Sequence, residues 1–169
     1  NNGKIDLRTP NGALTINGGS DDSSSVGVSA DGSGAVALKA TDSTGTRTLT
    51  VNADVLSGSG LLDLYAEEAL TVAAGVSLTT NSGGVVRVES GSAGLGLGAG
   101  SSVTTSGNGL LFVAGKTTVG INDDSTLTGG TGGLLVRAGT DLAVGSGSAL
   151  SAESTGLVLL EAETGNLTL

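Results

Sequence analysis

Apolar and polar residues alternate in short stretches that recur at a nearly constant spacing. Each stretch has Gly or Asn at position zero, apolar residues at positions two and four, and Ala or Ser at position six. The spacing from one position zero to the next is 26 residues and then 24 residues four times, for Gly34, Gly60, Gly84, Asn108, Gly132 and Gly156. A period of two is typical of a strand with one buried face. The pattern therefore predicts one core-facing strand per repeat, with an earlier copy that starts at Gly3.

Two shorter apolar stretches follow the first strand in each repeat. The second predicted strand carries Leu14 and Ile16, Leu49 and Val51, Leu70 and Val72, Leu95 and Leu97, Val119 and Ile121, Leu142 and Val144, and Leu167 and Leu169. The third is centred on Val28, Leu78, Val103, Leu127 and Leu150, and is irregular in the second repeat near Val55 and Leu56. Clusters of Gly, Ser, Asn and Asp separate the strands.

Three short strands in about 24 residues, with the same columns in every copy, predict a β-solenoid. The expected fold is all-β, a parallel β-helix with right-handed coils, because parallel crossovers are right-handed by default. Residues 1–169 are expected to form a single solenoid segment of a longer repeat protein or filament. Both ends would then meet further coils of the same chain or of identical subunits. Glycine or Asn at position zero further predicts a corner residue with positive φ.

The column register assigns side chains to the outside of the first strand. It places Leu111, Val113, Leu135 and Leu159 outward in the last three repeats. Contiguous apolar side chains on a surface usually mark a contact, so these four form a candidate lateral interface. A one-residue slip in the fifth repeat is the alternative, and it would bury Leu111 and Val113 in place of Leu110 and Phe112.

The third strand predicts a second surface, made of hydroxyl groups. Ser or Thr flanks the inward residue on both sides in three successive repeats: Ser77 and Thr79, Ser102 and Thr104, Thr126 and Thr128. Stacked hydroxyl pairs on a flat β-face are a candidate binding surface for ice or glycans. Ordinary solvent-facing strand residues are the alternative interpretation.

Composition and charge restrict the chemistry. The chain has no Cys and no His, one Tyr, one Phe and a net charge of −9. These features exclude a disulfide scaffold and imidazole or thiol catalysis, and they disfavour nucleic acid as a partner. No apolar run is long enough for membrane insertion. We expect no cofactor, no metal site and no catalytic residues, so the chain is not expected to be an enzyme.

Acidic residues are the remaining candidates for a metal site, a catalytic site or ion pairs between repeats. Asp21–Asp22 and Asp123–Asp124 are the tightest carboxylate pairs. They are interpreted as solvated turn residues, with a calcium site or a glycoside-hydrolase site as alternatives. Outward charges are expected to pair between neighbouring repeats, Asp63 with Arg87 and Arg137 with Glu161.

The strings TGGLLVRAGTDLAVGSGSAL (131–150) and ETGNLTL (163–169) resemble the haemagglutinin repeats of filamentous-haemagglutinin-like adhesins, which are bacterial exoproteins secreted by the two-partner route. The resemblance covers nearly the whole chain. It implies a right-handed parallel β-helix, export to the cell surface or medium, and a role as a stalk or adhesive fibre. It brings no catalytic residues.

Three hypotheses follow for function. The first is a structural or adhesive shaft segment of a bacterial surface or extracellular fibre, with further coils, identical subunits and host or surface glycans as partners. The second is an ice- or glycan-binding solenoid that uses the hydroxyl pairs. The third, with the least support, is a carbohydrate-active enzyme.

Overall fold

The fold is a β-solenoid of about six turns, seen in a computed structural model that describes residues 3–19, 25–41 and 45–169. All regular structure in these ranges is β-strand, arranged as three parallel sheets. None of the described residues belongs to a helix that could cross a membrane. Each turn contributes one strand to each sheet, as the repeat predicts, and the strands are numbered here along the chain.

Sheet one has seven strands and contains the longest strand of each coil. Its strands are β1 (Ile5–Thr9), β4 (Val36–Ala40), β7 (Leu62–Ala66), β10 (Val86–Ser90), β13 (Leu110–Gly115), β16 (Gly133–Ala138) and β19 (Val158–Ala162). We number the coils one to seven by these strands.

Sheets two and three complete the coil with shorter strands. Sheet two contains β2 (Leu14–Ile16), β5 (Leu49–Val51), β8 (Leu70–Val72), β11 (Leu95–Leu97), β14 (Val119–Ile121), β17 (Leu142–Val144) and β20 (Leu167–Thr168). Sheet three contains β3 (Val26–Ser29), β6 (Asp54–Ser57), β9 (Ser77–Thr80), β12 (Ser102–Thr104), β15 (Thr126–Gly129) and β18 (Ala149–Ala152). The pairing of β3 with β6 contains a register shift, where the sequence pattern is irregular.

The backbone ladder continues through the corners between sheets. Outside the strands, the Ser59 amide donates to the Gly32 carbonyl at 2.8 Å, and the Thr131 amide donates to the Gly107 carbonyl at 2.7 Å. Corner residues therefore stack on the corner of the adjacent coil as strand residues stack on strands. Buried backbone groups need such partners, and in a solenoid the neighbouring coil supplies them.

The interior is a narrow apolar core of Leu, Val, Ile and Ala. Small hydroxyl residues line the corners inside it. The Thr80 hydroxyl is 3.1 Å from the Gly84 carbonyl, and the Ser125 hydroxyl donates to the Gly98 carbonyl at 3.0 Å. A buried polar group that keeps a hydrogen bond avoids most of its desolvation cost. These hydroxyls thus satisfy carbonyls that point inward where the chain turns.

The position-zero residues are not left-handed, so the prediction of a positive φ there is wrong. None of the six has a positive φ, whereas Ser82, two residues before Gly84, has a φ of 48°. Glycine is required for a different reason. A Cβ on Gly84 would lie 2.5 Å from the Gly60 carbonyl oxygen of the coil below, and one on Gly60 would lie 2.7 Å from that of Gly34. The close approach of adjacent coils leaves no room for a side chain.

One left-handed corner lies between the second and third strands of coils three to six, in addition to the positive φ at Ser82 before position zero. Gly75, Gly100, Asp124 and Gly147 occupy it in four successive coils, with φ values of 72°, 67°, 57° and 73°. Asp is among the few residues with a side chain that tolerate this conformation. The corner turns the chain from sheet two into sheet three.

Replacing Gly100 by Val tests this corner. Nothing lies within 4 Å of a Cβ built on Gly100, so any loss of stability comes from backbone conformation alone. We expect Gly100→Val to lower the free energy of unfolding by about 1–2 kcal/mol or more. Gly96→Val is the matched control, because Gly96 also has open space around its Cβ but lies in β11 without a positive φ. Equal denaturation midpoints for the two variants would contradict the assignment.

Candidate functional site

The first candidate surface depends on the register of coil five, which differs from the prediction. Leu111 and Val113 are 0% exposed and pair with Val86 and Val88 of coil four. The prediction that they point outward is wrong, and the alternative register, with Leu110 and Phe112 outside, is confirmed.

Gly109 explains why the register slips. A Cβ added to Gly109 would lie 2.0 Å from the Thr105 hydroxyl and 2.5 Å from the Gly84 carbonyl oxygen. Gly109 therefore approaches the backbone of coil four as closely as Gly84 approaches that of coil three. Gly109, rather than Asn108, is therefore position zero of this coil, and the strand starts one residue later. The signal was present in the sequence as a glycine two residues before the first inward residue in every coil.

The slip creates an apolar face on the outside of sheet one. Phe112 lies beside Leu135 in the next coil, and Leu135 lies beside Leu159 in the one after. Leu110 and Leu157 flank this row, and Leu157 and Leu159 are 69% and 45% exposed. Leu135 and Leu159 thus lie where they were predicted, while Phe112 and Leu110 replace Val113 and Leu111. We call these five residues the apolar face.

A charge network covers the outside of sheet one in the earlier coils. Asp63, whose side chain is only 6% exposed, lies between Lys39 at 2.5 Å and Arg87 at 3.5 Å. Arg87 also pairs with Glu89 and sits 5.9 Å from the centre of the Tyr65 ring. The predicted pairing of Asp63 with Arg87 between coils is confirmed.

Arg137 and Glu161 form the second predicted pair between coils, at the border of the apolar face. The Arg137 Nε lies 3.4 Å from a Glu161 carboxylate oxygen, and its guanidinium also contacts Glu163. Both partners are about half-exposed, so the pair contributes little to stability by itself.

The second candidate surface, the hydroxyl pairs of sheet three, is assembled as predicted. Its two columns are in register across β9, β12 and β15, and all six residues are half-buried: Ser77, Ser102 and Thr126 in one, and Thr79, Thr104 and Thr128 in the other. We call these six residues the hydroxyl face. Asp54 and Leu56 precede it in β6, and Ala149 and Ser151 follow it in β18.

Part of the hydroxyl face is already hydrogen-bonded within the protein. The Ser102 hydroxyl donates to Ser77 at 2.9 Å, and the hydroxyls of Ser77 and Thr79 lie 3.1 Å apart. Thr128 likewise lies 3.3 Å from Ser151. A hydroxyl has one proton and two acceptor sites, so the face presents mainly acceptor capacity to a ligand.

The acidic candidates do not come together as a site. Asp123 and Asp124 are exposed in the corner before β15, where Asp123 accepts a hydrogen bond from the Ser146 amide at 2.9 Å. They fit the interpretation as turn residues. Asp21 and Asp22 lie outside the described residues. Across the described ranges, no three acidic, His or Cys side chains converge as metal ligands would.

A shallow depression beside Phe112 is a feature that the sequence did not predict. It has a volume of about 210 Å³, and Glu89, Phe112, Lys116 and Arg137 line it. The slip produces it, because Ala114 points outward between Glu89 and Arg137 and leaves a gap between two longer side chains.

No protein-family model matches the chain, and neither the curated proteins nor the solved structures include a significant match. The geometry of the solenoid and of its two surfaces is therefore the basis for any functional proposal.

Truncating adjacent leucines measures the register of coil five. Leu111 is fully buried, so Leu111→Ala should destabilise the fold by about 2–5 kcal/mol through lost burial and a cavity. Leu110→Ala, its neighbour on the outside, should cost about 1 kcal/mol or less. Chemical denaturation of both variants compares their free energies of unfolding. A larger loss of stability for Leu110→Ala would support the register predicted from the sequence, in which Leu110 points inward.

Titration of the tyrosine tests the hydrogen bond that Tyr65, beside the network around Arg87, makes with Glu67. The Tyr65 hydroxyl donates to Glu67 at 2.7 Å, and this bond, with partial burial, raises the pKa of Tyr65 to about 12. Because the unfolded value is about 10, the stabilisation is complete below pH 10 and is lost as the pH rises toward 12.

The chain has one Tyr and no Trp, so tyrosinate absorbance reports this group alone. We expect Glu67→Gln to shift the midpoint toward 10. A midpoint near 10 in the unmodified protein would show that the hydrogen bond does not persist in solution.

Proposed function

We propose that this chain is a structural segment of the shaft of a bacterial surface or extracellular fibre. The observation that carries the proposal is the unbroken in-register stack of seven strands in sheet one, matched by sheet two. Strands in a ladder are about 4.8 Å apart, so the stack extends along one direction by roughly 29 Å. Reach and stiffness are the properties that such a stack provides.

The stiffness comes from contacts between successive coils. Each coil bonds through its backbone to the coils before and after it, and the side chains of the core interlock along the same direction. In such repeat architectures stability is a sum of nearest-neighbour terms. A shaft can therefore lengthen by adding coils without redesigning those already present.

The surface chemistry also fits an extracellular shaft. A net charge of −9 keeps neighbouring molecules in solution, and a chain without Cys needs no disulfide formation during export. The resemblance to haemagglutinin repeats points to the same role. In this proposal the chain performs no catalysis, and adhesion depends on surface side chains.

Immunoelectron microscopy of the source bacterium tests the proposal. Antibodies raised against the folded chain should label fibres that project from intact, unpermeabilised cells. The same antibodies, absorbed with the purified protein, are the control. Labelling that requires permeabilisation would contradict an extracellular shaft.

The hydroxyl face supports a second candidate function, the binding of ice or glycans. Two columns of three hydroxyl residues at ladder spacing form a regular surface on sheet three. Thermal hysteresis and glycan-array binding measure the two activities. Thr104→Leu should abolish either activity, whereas Thr71→Leu, on the exposed outside of β8, should not. Equal binding by the two variants would reject this face as the site.

A further inference from the structure

We propose that the outside of sheet one in coils six and seven binds a second copy of this chain. The two copies pack face to face and antiparallel, about a twofold axis that runs along the strands between β16 and β19. This interface does not depend on the proposed shaft function.

The geometry of such an axis fixes which residues meet. Rotation about a line parallel to the strands leaves position along the strand unchanged and reverses the order of the coils. Each outward residue of coil six then faces the residue of coil seven that is 24 positions later, and the reverse contact forms at the same time. A twofold interface requires this kind of self-complementary surface.

The apolar column is complementary across the axis. Leu135 of one copy faces Leu159 of the other, and both point outward. Removing an exposed leucine from water is favourable by roughly 25 cal/mol per Å² of apolar surface. Phe112 extends the same column by one coil at the edge of the contact.

The column on one side of the leucines adds apolar surface at the edge of the contact. Leu157 is the most exposed residue of the apolar face, and its counterpart in coil six, Gly133, is buried and has no side chain. Leu157 of each copy therefore packs beside the leucine column without an opposing side chain.

The column on the other side is complementary in charge. Arg137 of one copy faces Glu161 of the other, so the two ion pairs within the chains join across the interface, with the carboxylate of Glu163 beside each Arg137. Partial shielding by the neighbouring leucines strengthens such pairs relative to fully exposed ones. This alternation of charge between coils six and seven selects the antiparallel arrangement, because a twofold axis along the solenoid would place each coil opposite itself.

The contact is small, since it comprises three residue pairs repeated by symmetry. Interfaces well below the standard size are weak and transient. A crosslinking measurement is therefore better suited than a separation method. The absence of Cys makes single-cysteine variants specific.

The experiment mixes Leu135→Cys with isotope-labelled Leu159→Cys and treats the mixture with a short bis-maleimide. The mixed dimer should form in several-fold excess over the dimer that Phe112→Cys forms with itself. Phe112 lies in the same column one coil earlier, and the reversed coil order separates the two coil-five strands by three coil spacings, about 14 Å, along the solenoid. Ser102→Cys mixed with Thr126→Cys is the matched control, because these residues are also outward neighbours in successive coils but lie on sheet three. Circular dichroism and thermal denaturation verify that each variant is folded.

Two outcomes would overturn the proposal: a mixed yield no higher than that of Phe112→Cys with itself, or a mixed yield no higher than in the Ser102 and Thr126 control. Efficient self-crosslinking of Phe112→Cys would indicate a parallel arrangement, because each coil would then face its own copy.

Charge reversal provides an independent readout on the same pair of variants. Adding Arg137→Glu to both should reduce the mixed crosslink several-fold, because two carboxylates then face Glu161. Adding Glu161→Arg as well should restore it, since opposite charges again meet within and between chains. An unchanged yield with Arg137→Glu alone would show that the columns do not meet in this register.

Discussion

Adjacent coils are separated by about 4.8 Å, the distance of a backbone hydrogen-bond ladder, and this spacing constrains every other part of the molecule. Each residue must be compatible with the one directly above and the one directly below it. Inside, the result is columns of Leu, Val and Ala that repeat from coil to coil. At the corners, the same distance brings one backbone so close to the next that Gly60 and Gly84 cannot carry a side chain.

Two different physical requirements therefore produce the abundance of glycine. At Gly84 the requirement is space, and the backbone conformation is one that any residue adopts. At Gly100 the requirement is a left-handed backbone, and the space around it is open. Asp124 substitutes for glycine in the second case, because a short polar side chain tolerates that conformation. No such substitution is tolerated in the first case, so Asn108 could not be the position-zero residue of coil five.

The sequence pattern predicted the three sheets, the inward columns, the hydroxyl face and both ion pairs between coils, because all of these follow from the alternation of side chains and the repeat length. It failed where alternation is ambiguous. Leu110 and Leu111 are both apolar, so a period of two fits either register in that strand. The contact of Gly109 with the coil below decides between them, and this contact is a property of the stack rather than of one strand. The depression beside Ala114 was missed for the same reason.

The outward side chains of the solenoid are not determined by the requirements of the fold. A parallel ladder constrains the inward columns in every coil, but it accepts almost any outward residue. Sheet one nevertheless changes from a buried ion-pair network around Asp63 to leucines around Leu135, and sheet three presents stacked hydroxyls. Exposed leucines lower solubility, and the backbone ladder does not require them at outward positions. Their presence in two successive coils, beside an Arg and a Glu in the same column, is thus explained by a contact outside the coil rather than by the requirements of folding.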